Sequence, residues 1–184
     1  FNTFTPLADQ ALKARVETLL ARCGFRARGL FVMDGSRRSA HGNAYFTGFG
    51  AAKRIVFYDT LLAKLSPEEV EAVLAHELGH FHHRHILKRL ALLAPASLLL
   101  LALLGWLMQQ PWFFTGLGMS ATDTASALAL FFLALPAFTF PLAPVLSYWS
   151  RVHEFEADAY AAQQTRAADL VAALVKLYRD NAST

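Results

Sequence analysis

Residues 74–85 read LAHELGHFHHRH and hold five of the chain's seven histidines, with a glutamate beside the first. The residues just upstream decide the local structure. Ser66-Pro67-Glu68-Glu69 combines an N-cap residue, a proline at the first helical position and a glutamate placed to close a capping box. Val70, Val73, Leu74 and Leu78 then recur at helical spacing, so a helix carries the histidines. On that helix His76 and His80 stand one turn apart, about 6 Å along the axis and about 40° around it, and both imidazoles can reach one ion. Glu77 is offset by one position, where it can hold a water beside the ion and take its proton. The pattern reads as two metal ligands, His76 and His80, plus a general base, Glu77. His83 shares their face but lies about 10 Å beyond His76, too far to share the ion. His82 and His85 point elsewhere and are expected as polar residues near a membrane surface. His41 is expected to be an ordinary turn residue.

The membrane expectation comes from composition and from two long apolar runs. Hydrophobic residues make up 55% of the 184 residues and charged ones 17%, against roughly 45–50% and 25% in a soluble domain. Residues 91–108 and 124–150 carry no charge. The first is long enough as a helix to cross about 30 Å of hydrocarbon. The second contains Pro136, Pro141 and Pro144, which imply kinks or an early end. Two spans make a transmembrane hairpin; a pair of buried core helices is the alternative. Arg84, Lys88, Arg89 and Arg151 flank the outer ends, and the positive-inside bias puts those ends in the cytoplasm. The net charge of +3 comes from scattered Lys and Arg without a basic, aromatic face, so no nucleic acid partner is expected. The single cysteine, Cys23, excludes an internal disulfide and a Cys-based zinc site. Beginning at Phe1 rather than Met, the chain is expected to be a fragment of a longer protein.

A catalytic zinc usually takes three protein ligands. A hairpin returns the chain to the same membrane face, so the first polar residues after the second span are the place to look. There stands SRVHEFEAD, residues 150–158. Glu154 and Asp158 are four apart and share a helix face, while Glu156 and His153 are off-phase. Glu154 is assigned as third ligand, and Asp158 as the acceptor of a hydrogen bond from a ligand histidine's distal nitrogen. The alternative for this pair is a solvated helix face.

Ahead of the His-rich helix, Leu12, Val16, Leu19 and Leu20 mark an amphipathic helix between Leu7 and Cys23. Three short runs, Gly29 to Met33, Asn43 to Phe49 and Arg54 to Tyr58, read as strands of a small sheet. The middle one, NAYFTGFG, is glycine-punctuated and suits an edge strand that another backbone can approach.

HELGH at 76–80, SRVHEFEAD at 150–158, NAYFTGFG at 43–50 and LSPEEVEAVLAHELGH together resemble the CAAX prenyl protease 1 type of membrane zinc metallopeptidase, the Ste24 group of the M48 family. The resemblance implies an α+β, mostly helical, zincin-like catalytic domain with a small β-sheet, an HExxH helix and a two-helix transmembrane hairpin. It implies one M48-type domain over 1–184: a zincin-like part at 1–86, the hairpin at 87–149 and the third-ligand helix at 150–184. It further implies one zinc ion per chain on His76, His80 and Glu154, with Asp158 behind them. Asn43, Ala44, Tyr45 and Phe46 then form an edge strand that pairs with substrate backbone. The implied activity is hydrolysis of a peptide or protein, with prenylated CAAX tails among the implied substrates, by an integral multi-pass protein. Its active site is expected on the cytoplasmic side of a bacterial inner membrane or endoplasmic reticulum. Phe81-His82-His83-Arg84-His85 departs from the family's usual pattern, in which only His85 matches. Two rivals share some of these features: a quality-control protease of the HtpX kind, and a non-enzymatic membrane protein that binds metal through the histidine cluster.

Overall fold

The computed structural model describes residues 2–37, 43–47, 53–120 and 122–182. By its internal contacts the chain divides into two compact units. One joins Phe1–His83 with Glu154–Thr184, and the other is Arg84–His153.

The first unit opens with β1 (Phe4–Pro6), α1 (Gln10–Arg22) and β2 (Leu30–Met33), followed by β3 (Ala44–Thr47), β4 (Arg54–Tyr58) and α2 (Asp59–Lys64). The strands form one mixed sheet in the order β1-β2-β4-β3. Strands β2 and β4 run parallel with Leu30 opposite Ile55; β3 is antiparallel to β4 with Ala44 opposite Phe57. The expected edge position of the 43–47 run is therefore observed, while residues 48–50 and His41 lie outside the described residues. Strand β1 is a fourth strand that composition did not announce, paired antiparallel to β2 with Phe4 opposite Met33.

The His-rich helix is α3 (Pro67–His82). Its start forms as the sequence dictates: the Ser66 hydroxyl accepts from the Glu69 N–H at 3.3 Å, and the Glu69 carboxylate accepts from the Ser66 N–H at 2.8 Å. Val70, Leu74 and Leu78 are buried against Val16 and Leu19 of α1 and Ile55 and Phe57 of β4. Helix α8 (Ala167–Ala182) adds Leu170 and Ala173 to this core. The Lys176 ammonium sits 2.7 Å from the buried Glu69 carboxylate. Burial by itself pushes the Glu69 carboxyl up, but the Lys176 ammonium and the Ser66 N–H outweigh it and hold the group below the usual range.

The second unit begins after a break. Arg84 adopts the left-handed conformation with φ 55°, and α4 (His85–Leu107) starts anew. A short α5 (Pro111–Gly116) and α6 (Thr124–Thr139) come next, then a tight turn at Phe140–Leu142 and α7 (Ala143–Gln164). The interruption falls at Pro141, as the proline count in that stretch implies. Phe113, Phe114, Ala127, Leu130 and Phe131 make a small core with Leu104. The remaining surface of these helices is apolar and open: Leu98, Leu99, Leu133 and Phe138 are 68, 71, 80 and 77% exposed. That exposure contradicts the alternative of two buried core helices. By length and composition His85–Leu107 and the run Thr124–Gln164 can each cross a bilayer.

The break at Arg84 also corrects the place of His85. Continuing α3 in phase makes it an exposed interfacial residue, but the new helix resets the phase. His85 is buried and stacks on His153, their ring centroids 4.1 Å apart and their planes 12° from parallel.

Candidate metal centre

Helix α3 presents His76, Glu77 and His80, and α7 presents Glu154 and Asp158. The Nε2 atoms of His76 and His80 are 3.1 Å apart. One Glu154 oxygen, Oε2, lies 3.6 Å from each of them. The three atoms thus outline a nearly equilateral triangle, close to the about 3.4 Å edges of a tetrahedron of zinc ligands. One nitrogen donor from each ring and a carboxylate oxygen also form the donor set that suits zinc.

The tautomer of His76 is set by its other nitrogen. Nδ1 lies 2.8 Å from Asp158 Oδ1, so Nδ1–H donates to the carboxylate and the Nε2 lone pair faces the centre of the triangle. Burial pushes His80 below the usual imidazole range, opposed by the nearby Glu154 carboxylate. A neutral ring is the form a cation needs. Glu77 is partly buried beside them. Its carboxyl is raised above the usual range, first by burial and then by the Glu154 charge, with His76 pulling the other way. A carboxylate raised in this way is a better proton acceptor than one in water.

A cavity of about 130 Å³ adjoins the pair, walled by Asn43, Ala44, Leu61, Val73, His76 and Glu77. The fold therefore brings two of the four edge-strand residues to the centre. The other two point their side chains elsewhere: Tyr45 packs edge-on against Tyr58, and Phe46 packs against Phe25 and Phe81.

The remaining described histidines of the unit, His82 and His83, do not join the triangle. His82 stacks on Tyr160, with ring centroids 4.8 Å apart, and His83 meets the same ring edge-on. Tyr160 gave no signal in the sequence, because its partners lie 77 and 78 positions away.

A profile of Peptidase family M48 matches residues 6–184. The chain is similar to the CAAX prenyl protease 1 of Saccharomyces cerevisiae, 36% identical over an alignment of 200 residues that takes in 100% of this chain and 44% of that protein. It is also similar to a CAAX prenyl protease 1 homolog of Oryza sativa subsp. japonica, 39% identical over 186 residues, covering 100% of this chain and 43% of that one. The crystal structure of S. mikatae Ste24p superposes with a TM-score of 0.83 at 35% identity, covering 98% of this chain and 46% of that chain. The chain thus spans under half the length of these relatives.

Proposed function

Because the chain belongs to peptidase family M48, we propose that it is the catalytic segment of a membrane-embedded zinc metalloendopeptidase of the CAAX prenyl protease 1 kind. The observation that carries the proposal is the triangle of His76 Nε2, His80 Nε2 and Glu154 Oε2, with edges of 3.1, 3.6 and 3.6 Å and Asp158 behind His76. His76, His80 and Glu154 hold one zinc ion. Bound there, zinc supplies Lewis-acid polarisation of the scissile carbonyl and a lowered pKa for the attacking water. Asp158 keeps His76 in the tautomer that faces the ion. Glu77 takes the water's proton and returns it to the leaving amine, which its raised proton affinity favours.

Substrate backbone adds along Asn43 to Phe46, at the outer edge that β3 forms among the described residues, where hydrogen bonds to main chain tolerate many sequences. C-terminal CAAX tails, prenylated or not, are the substrate class that the named relatives suggest. Helix α4 and the run from α6 into α7 cross the bilayer, with Lys88, Arg89 and Arg151 on the cytoplasmic side, where the centre then lies.

The test is metal analysis with peptide cleavage on the full-length protein. Wild type is expected to hold one zinc per chain and to cut an unstructured peptide, and Glu154→Ala to lose both. A Glu154→Ala protein that retains zinc and activity overturns the ligand set.

A further inference from the structure

We propose that Gly79 is a positioning residue for the metal centre: its missing side chain sets the separation of α3 and α7, and so the reach of Glu154 to the two imidazoles. The proposal rests on His76, His80 and Glu154 being the ligand set.

The two helices meet through matching triplets. On α3 they are His76, Gly79 and His80; on α7 they are Glu154, Ala157 and Asp158, each at positions i, i+3 and i+4 on one helix face. Gly79 is buried, and Ala157 is wholly buried. A Cβ built on Gly79 would stand 2.8 Å from Ala157 Cα, 3.0 Å from Ala157 O and 3.2 Å from Tyr160 Cβ. The first two are backbone atoms, so no rotamer change relieves the contact. Moving Ala157 Cα back to the 3.4 Å edge of ordinary contact requires the helices to part by about 0.6 Å. Metal–ligand distances tolerate only about ±0.2 Å. One methyl group at position 79 therefore moves α7, and the carboxylate it carries, by more than the coordination allows.

Helix propensity argues against a purely local role for this glycine. In the interior of α3 a glycine is less favourable than alanine, so alanine improves the helix while spoiling the seam.

The experiment compares full-length wild type, Gly79→Ala, Ala157→Val and Leu74→Ala. Leu74 is a buried α3 residue packed in the core and serves as a control for lost stability without a shifted seam. Zinc affinity is measured by competition with a chelating dye, and the cobalt-substituted proteins are compared by visible absorption for the intensity of the four-coordinate d–d bands. Gly79→Ala is expected to fold, to weaken zinc at least about 10-fold, the size of effect seen when ligand-orienting partners are lost, and to change the cobalt spectrum. Ala157→Val thickens the same seam from the other side and is expected to do likewise. Leu74→Ala is expected to lower stability with affinity and spectrum unchanged. Gly79→Ala and Ala157→Val proteins with zinc affinity within twofold of wild type and an unaltered spectrum overturn the proposal. So does a spectrum that Leu74→Ala alters equally. If both seam variants fail to fold, the seam serves the fold rather than the centre and the proposal falls. A wild-type protein without zinc at His76, His80 and Glu154 overturns the ligand set instead, and the two failures are thereby told apart.

Discussion

Glu77 and Asp158 flank the three proposed ligand side chains and are expected to fail in different ways when altered. Glu77→Gln keeps the shape and removes the proton acceptor, so zinc content is expected to stay at one per chain while kcat falls by about 10²- to 10⁴-fold. Single-turnover cleavage of a quenched fluorescent peptide measures this. Asp158→Asn removes the carboxylate 2.8 Å from His76 Nδ1 and is expected to weaken zinc binding by about 10- to 100-fold. Titration against a chelator reads it directly. The closeness of the two imidazoles was legible in the sequence because helical geometry alone brings positions 76 and 80 together. The reach from position 80 to position 154 was legible only through the idea of a there-and-back hairpin. The pairing of His85 with His153 was not legible at all. It depends on the left-handed turn at Arg84, and a non-glycine residue in that conformation leaves little trace in sequence.

Among the elements, α3 was the most legible and β1 the least. The capping box of α3 is written in four consecutive residues, whereas β1 is three residues ending in proline and exists because β2 offers it an edge. Helix α8 was missed for a related reason: its role is set by Glu69 and the core it covers, 107 positions from Lys176. Two substitutions probe α3. Ser66→Ala removes the side-chain half of the capping box and is expected to cost about 1 kcal/mol in urea unfolding. Lys176→Met leaves the Glu69 carboxylate buried without its cation. The Glu69 carboxyl is held low in the folded state, so the pair's stabilisation is present above the ordinary glutamate pKa and is lost as pH falls through the depressed value. Wild type and Lys176→Met are therefore expected to differ in stability at neutral pH, by about 1–3 kcal/mol, and to converge under acid conditions. Chemical unfolding across that range checks the sign.

For the whole molecule, the division between a polar unit and an apolar one governs where it can exist. The exposed Leu98, Leu133 and Phe138 surfaces of α4 and α6 are costly in water and suit the proposed hydrocarbon environment. Leu133→Arg on the open face of α6 is expected to cost about 2.5–3.5 kcal/mol of insertion free energy, read as a loss of protein from the alkali-resistant membrane fraction. The proposed ligands also come from distant parts of the chain. His80 and Glu154 are 74 positions apart with both apolar helices between them. At a synthesis rate of about 5–20 residues per second, the carboxylate arrives several seconds after the imidazoles, behind the whole of the intervening apolar stretch. On the proposed ligand set, a nascent chain therefore lacks its third donor until both apolar helices have been made. Where that donor set holds the ion, the order of translation itself delays completion of the hydrolytic centre.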